Sequence, residues 1–286
     1  MKKGWIIAIS VAIFVIGLLV LLSFTLFSLK EVRVDYKTSF SEVINEEDLI
    51  DRGKFAYKGS VFFHGKSKYI ENIERAYPNV KVVNIETVFP STFVIHIAQR
   101  QEVFAILYNE NYLICDNEFK VLRIASDFSS SQTSPILLQG IEIEDDNITV
   151  GSELKIEGYY DIYNSSLKNN RPLSSMQTIL NTITFSQIYD EVLLTYQPAV
   201  TFTLYDGQKY IIKNCGYGLD GKMKLFYDVY SQIYTYIGQT IKIDGEEIVL
   251  SEENLKNATI LIDNYYDYSQ HDENDCYFNI VKLTNS

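Results

Sequence analysis

The residues 216–221, Gly216-Tyr217-Gly218-Leu219-Asp220-Gly221, spell a G-x-G-x-x-G pattern between a strand-like run and a helix-like run. In a dinucleotide-binding turn such glycines let the backbone approach a pyrophosphate at a helix N-terminus. The surroundings argue against that use. The preceding runs, residues 200–204 and 209–213, are joined by Asp206-Gly207, a hairpin turn rather than a right-handed crossover, and no second βαβ half follows. The glycines are therefore read as backbone devices, and no cofactor is expected.

The other groups with chemical potential are scattered. His64 lies beside Gly65, His96 on the polar face of a strand and His271 in an acidic tail, so no two have the spacing of a local metal pair. They are read as exposed or capping side chains, and no metal is expected. Asp145-Asp146 and Glu246-Glu247 would serve as acid and base only if the fold brought carboxylates together; as adjacent pairs they are read as solvated turns. Cys115, Cys215 and Cys276 are distant and odd in number, with neither a disulfide framework nor zinc-ligand spacing. No Ser, Thr or Cys sits in a nucleophile elbow, so no catalytic residue is assigned and the chain is read as a non-enzyme.

Function must then come from placement and surfaces. Residues 5–29 form one uncharged run that would reach roughly 37 Å as a helix, enough to cross a bilayer. The bulky residues Phe24, Leu26, Phe27 and Leu29 occupy the place where a signal peptide would be cut, which favours a permanent anchor. Lys2 and Lys3 place the short amino terminus, residues 1–4, in the cytoplasm and the remainder outside. The formal net charge is −12 for the whole chain, and setting Lys2, Lys3 and Lys30 aside leaves 22 basic against 37 acidic residues, or −15, outside, a surface that repels nucleic acid and anionic lipid.

The first exterior segment has a legible order. Val32 and Val34 alternate with Glu31, Arg33 and Asp35 as in a half-buried strand over residues 31–37. Asn45 caps a helix with the acidic first turn Glu46-Glu47-Asp48, ending near Gly53. A second helix suits residues 67–77, closed by Pro78. Val83 and Ile85, then Phe93, Ile95 and Ile97, mark two strands around the turn Phe89-Pro90-Ser91. The order is β-α-α-β-β.

Further on, strands are read at residues 103–107, 112–115, 188–196, 200–204 and 209–213. Met176, Ile179, Leu180 and Ile183 have helical spacing, as do the apolar residues from Phe226 to Ile237. Residues 126–134 and 163–175 are polar and read as loops. Residues 277–283 would add a last strand. The fold class is α+β, with one transmembrane helix, the β-α-α-β-β domain and a mixed, mainly antiparallel β domain.

This arrangement resembles the FtsQ/DivIB family of bacterial cell-division proteins. The resemblance rests on the anchor, the β-α-α-β-β order and short phrases: Ala76-Tyr77-Pro78-Asn79-Val80 at a helix end, Phe89-Pro90-Ser91-Thr92-Phe93-Val94-Ile95-His96-Ile97 at a hairpin, and Gln99-Arg100-Gln101-Glu102-Val103. In the last phrase Gln99 and Glu102 stand where the family has glutamate and proline. Fainter phrases follow at Tyr112-Leu113-Ile114-Cys115-Asp116, Pro135-Ile136-Leu137-Leu138-Gln139-Gly140 and Ala258-Thr259-Ile260-Leu261-Ile262-Asp263.

The resemblance implies a POTRA-like domain at residues 30–101, an FtsQ-like β domain at 102–266 and a tail at 267–286. It implies a divisome scaffold that meets FtsB/DivIC-like and FtsL-like division proteins, and through them the septal peptidoglycan synthase complex. An exposed strand edge accepts an incoming strand through main-chain hydrogen bonds. The strand expected to present it is Thr259, Ile260, Leu261, Ile262 and Asp263, with Asn264, Tyr265 and Tyr266 beside it. Two other classes compete: an anchored adhesin or ligand-binding module, for which tyrosine-rich strands and an acidic surface are the relevant features, and an anchored hydrolase, which requires convergent carboxylates or a Ser or Cys with His.

Overall fold

The chain folds as two compact units, Met1–Gln101 and Glu102–Ser286. The computed structural model describes residues 2–63, 65–129, 131–143, 147–156, 158–243, 245–264 and 276–283. His64, the Asp145-Asp146 pair, His271, Tyr265 and Tyr266 lie outside the described residues.

The first unit begins with α1 (Lys2–Thr25), whose window Ala8–Thr25 is uncharged, strongly apolar and unburied by protein. It fits a single-pass membrane protein. The apolar run is shared between two jobs, because its last residues leave the helix: Leu29 is 1% exposed in the core of the following module and Phe27 packs against that core. The helix therefore stops at Thr25 rather than continuing through Leu29.

The elements that follow are β1 (Glu31–Tyr36), α2 (Glu46–Gly53), α3 (Lys66–Ala76), β2 (Val80–Val88) and β3 (Thr92–Gln99). These match the β-α-α-β-β reading closely. The Asn45 side chain accepts from the Asp48 N–H at 3.1 Å, and Lys54 closes α2 in the left-handed region. Strand β3 is central, parallel to β1 and antiparallel to β2. Phe93, Ile95 and Ile97 on β3 point at alternate positions into one core with Leu49 of α2 and Tyr69 and Ile73 of α3.

On the opposite face His96 sits between two carboxylates, Nδ1 at 2.7 Å from Asp35 and Nε2 at 3.0 Å from Glu86. It is buried rather than exposed. Its neighbours across the sheet, which carry these acids, were too distant in sequence to be read as partners.

The second unit is built on a nine-stranded mixed sheet. Its strands are β4 (Phe104–Tyr108), β5 (Asn111–Cys115), β6 (Val121–Ala125), β7 (Ile136–Gln139), β8 (Leu180–Asp190), β9 (Thr195–Leu204), β10 (Lys209–Ile212), β13 (Thr259–Asn264) and β14 (Cys276–Lys282), while β11 (Thr240–Ile243) and β12 (Glu246–Val249) form a separate hairpin. The spatial order is β14-β13-β10-β9-β8-β7-β4-β5-β6. Pairs β4–β7, β7–β8 and β10–β13 are parallel and the other five are antiparallel. Helices α4 (Tyr159–Lys168) and α5 (Leu219–Gln232) supply its apolar cover. Phe226 of α5 stacks on Phe202 at 4.7 Å and meets the Tyr210 edge at 5.1 Å.

Four readings are corrected here. Residues 176–183 are not helical: a short 3-10 turn ends at Met176 and β8 starts at Leu180. A register shift between Leu180 and Thr182 puts Leu180 and Ile183 on the same buried face, so a bulged strand imitated helical spacing. Residues 188–196 are not one strand but the end of β8, a turn and the start of β9. Asp190 Oδ1 accepts from the Val192 and Leu193 amides at 2.9 Å each, and the apolar turn residues are exposed. Residues 163–175 are not all loop, because α4 runs through Lys168 with the small polar Ser165 and Ser166 buried. Glu246 and Glu247 are exposed on β12, not in a turn.

One buried ion pair in the first unit carries a stability prediction. Arg100 donates to Glu74 Oε2 at 2.7 Å, and Glu74 Oε1 accepts from the Val82 N–H at 2.8 Å. Replacing Arg100 with methionine leaves the largely buried Glu74 carboxylate without its guanidinium, and should cost about 3 kcal/mol. Urea unfolding of the full chain in micelles, followed by exchange of β2 and β3 amides, measures this; a loss under about 0.5 kcal/mol would contradict it.

Candidate functional site

The far end of the nine-stranded sheet is assembled around Lys213, which follows β10. Its backbone N–H donates to Ile262 O on β13 at 3.0 Å, extending the parallel β10–β13 pairing. Its Nζ lies 3.2 Å from Asp263 on β13 and 3.5 Å from Asp190 at the end of β8. Both carboxylates are 1% exposed. Burial alone would lower the Lys213 pKa, but Asp263 and then Asp190 outweigh it and hold the ammonium above its ordinary value. One cation thus ties together three strand ends.

A second lysine, this one buried, finishes the same corner. Lys222, on α5, is fully buried and donates from Nζ to the Lys213 and Asn214 carbonyls at 2.6 and 2.9 Å. The Asn214 carbonyl also accepts from the Tyr217 N–H at 3.1 Å, so the ammonium and a turn together hold the chain where it leaves the sheet. The glycine pattern has its use here. Gly218 precedes α5 at φ +62°, and a Cβ on it would stand 2.6 Å from Asn264 Nδ2. The pattern is a tight entry into α5, as read, although the strand context is richer than the hairpin alone suggested: β10 pairs with β9 through the Asp206-Gly207 turn and also runs parallel to β13, which is reached through α5.

The strand expected to be an edge is interior. Thr259, Ile260, Leu261, Ile262 and Asp263 pair with β10 on one side and with β14 on the other. The physical reason is at the carboxyl end: β14 supplies its own apolar face, with Phe278 against Tyr236 at 5.9 Å and Phe278 and Ile280 packed on the core. Asn264 is buried at the end of β13. Among the described residues β14 and β6 are the two outer strands. They differ in cover. At β6 the Val121 N–H donates to Ser152 O and the Gly151 N–H to Val121 O, so a loop already occupies part of that edge.

A groove of about 1230 Å³ opens elsewhere on this unit, bordered by Gly140, Ile141, Leu154, Ile156, Phe185 and Cys215. Burial pushes the Cys215 thiol up to about 11, so it is protonated at neutral pH and a poor nucleophile. Burial likewise raises Cys115. Both cysteines are free. Among the described residues no cluster of three His, Cys, Asp or Glu side chains has the disposition of a metal site.

Among known proteins, the cell-division protein DivIB of Clostridium acetobutylicum is 29% identical to this chain over 149 residues. The match supports a divergent FtsQ/DivIB family member. It covers 50% of this chain and 56% of the relative, so the chain spans about half the length of the curated relative it matches. The chain matches no family model. One phrase of the family resemblance acquires a physical role: Arg100, between Gln99 and Gln101, is the buried cation that holds Glu74.

The Lys213, Asp190, Asp263 and Lys222 corner was not visible to sequence reasoning. Asp190, Lys213 and Asp263 are separated by more than twenty residues each, and only strand order joins them. Removing the Lys213 charge by Lys213→Met should destabilise the second unit by about 3 to 5 kcal/mol, and Asp263→Asn in that background should recover part of the loss. Additive effects of the two changes in chemical denaturation would contradict the clamp.

The pH dependence has the same origin. Burial pushes Tyr227 up to about 12 from 10.0, burial also raises Tyr210, and Lys213 is raised by its two carboxylates. Groups whose folded pKa lies above the unfolded value stabilise the fold fully below the unfolded value, and that contribution is lost as pH climbs through the folded one. The second unit should therefore hold its stability up to about pH 10 and lose it between about 10 and 12. Circular dichroism against pH checks this; flat stability to pH 12 would contradict it.

Proposed function

We propose that the chain is a non-enzymatic, membrane-anchored scaffold of the bacterial division machinery. Its amino terminus is cytoplasmic and both folded units lie outside the membrane. Residues 30–101 act as a POTRA-like module, and residues 102–266 with the strand in the tail act as the β domain that receives other division proteins. The similarity to DivIB carries this reading, together with the apolar helix α1.

In this reading partners arrive at the β13–β14 end of the large sheet. An FtsB/DivIC-like strand extends the sheet there, FtsL-like protein follows it, and the septal synthase complex is recruited through them. Among the described residues β14 has no strand on its outer side, whereas part of the β6 edge at the opposite end is covered by a loop, and this supports that choice. Thr259 to Asn264, the strand on which β14 rests, then act beneath the contact and meet the partner directly if it exchanges with β14, and Tyr265 and Tyr266, outside the described residues, help to receive it.

Depletion tests the cellular role. Cells lacking the protein should form filaments without septa, and a fluorescent fusion should gather at midcell; normal septation together with a uniform membrane signal would refute it. Capture of the FtsB/DivIC-like partner by the full chain, compared with a chain lacking residues 276–286, tests the edge. Loss of capture places the partner on β14 and a gain places it on β13, whereas unchanged capture would remove this end of the sheet from the interface.

A further inference from the structure

Three exposed aromatic rings stand where α1 hands the chain to the first folded unit. Phe62, Phe63 and Phe89 are 53%, 77% and 59% exposed, a large apolar surface for a small module. They do not belong to the module's core. Phe62 and Phe89 pack on each other at 5.5 Å and on Phe27 at 5.2 and 6.2 Å.

Phe27 fixes their height. The Leu26 and Phe27 amides both donate to Leu22 O, so the last helical turn ends there. A helix of 24 residues reaches about 36 Å, more than a hydrocarbon core of about 30 Å, and its exit falls in the headgroup layer. The loop that carries Phe62 and Phe63 is bonded to that exit: Val61 N–H donates to Phe27 O at 2.8 Å, Leu29 N–H to Gly59 O at 2.8 Å and Lys58 N–H to Leu29 O at 3.0 Å. The rings cannot rise from the membrane without breaking this pairing. Lys30 and Lys58 lie in the same two segments, suited to lipid phosphates.

We infer that Phe62, Phe63 and Phe89 are a second membrane contact, seated in the interfacial layer of the bilayer that α1 crosses. The occupant of this apolar face is lipid, because the face is continuous with the exposed flank of the helix. The contact holds the first unit against the membrane and limits its rotation about the helix exit. It rests on the reading of α1 as a span.

The test is depth-dependent quenching of the full chain in nanodiscs that hold one chain each, made from phosphatidylcholine with or without acyl-chain bromine. Trp5 is the sole tryptophan and reports on α1 itself. In a Trp5→Phe background, Phe63→Trp and Phe89→Trp report on the patch, and Tyr36→Trp, at the end of β1 about 20 Å along the strand, reports on the distal side. Both patch probes should be quenched several-fold more than the Tyr36→Trp probe and should emit at shorter wavelength. Patch probes quenched no more than the distal one, with Trp5 strongly quenched, overturn the lipid contact and leave the span intact. An unquenched Trp5 overturns the span and the lipid contact with it.

Discussion

The first folded unit depends on how the backbone leaves the helix. A membrane helix ends with carbonyl and amide groups that need partners, and a flexible linker would give them to water. Here residues 26–30 are committed at once: they close the helix on Leu22 O, pair with the 58–61 loop, and enter β1 after the Lys30 amide donates to Ser91 O at 2.8 Å. Leu29 is buried as the first core residue of the module. The anchor and the module are thus one hydrogen-bonded piece, and the orientation of β1, β2 and β3 follows from the exit of the helix.

The second unit solves a different problem. A nine-stranded open sheet must end somewhere, and each outer strand exposes unpaired amides. The fold handles the two ends unequally, covering part of β6 with the 151–154 loop and leaving β14 outermost at the other end among the described residues. The strands leading to β14 are held in register by a half-buried lysine between two buried aspartates, an arrangement that stabilises little by itself but penalises any slip that separates the charges. Rigid backing of this kind suits a sheet end that receives another strand, since an edge that frays makes a poor template.

The legible parts of the fold were those fixed by neighbouring residues. Asn45 with its acidic turn, Pro78 after α3, the alternation in β1 and β3 and the Asp206-Gly207 hairpin are local rules, and each appears where the sequence placed it. Errors arose where a long-range feature shifted a local period. The bulge after Leu180 made a strand look helical, and buried Ser165 and Ser166 made α4 look like a loop. The outermost strand was expected one strand too early because the pairing of β14 depends on Phe278 finding Tyr236 across the chain, and no short window contains that. The lysine corner is illegible for the same reason.

The proposed role rests on position: an anchor without slack, a module oriented by it and, among the described residues, a sheet end with β14 outermost, backed by buried charge. Hydrogen exchange of the full chain in nanodiscs, with and without the FtsB/DivIC-like partner, tests that account most directly. The account predicts slow exchange at residues 26–30 and 58–61 in both states, and amides of β14 or β13 that become protected only when the partner binds. Fast exchange at the helix exit, or partner-induced protection confined to β6, would contradict it.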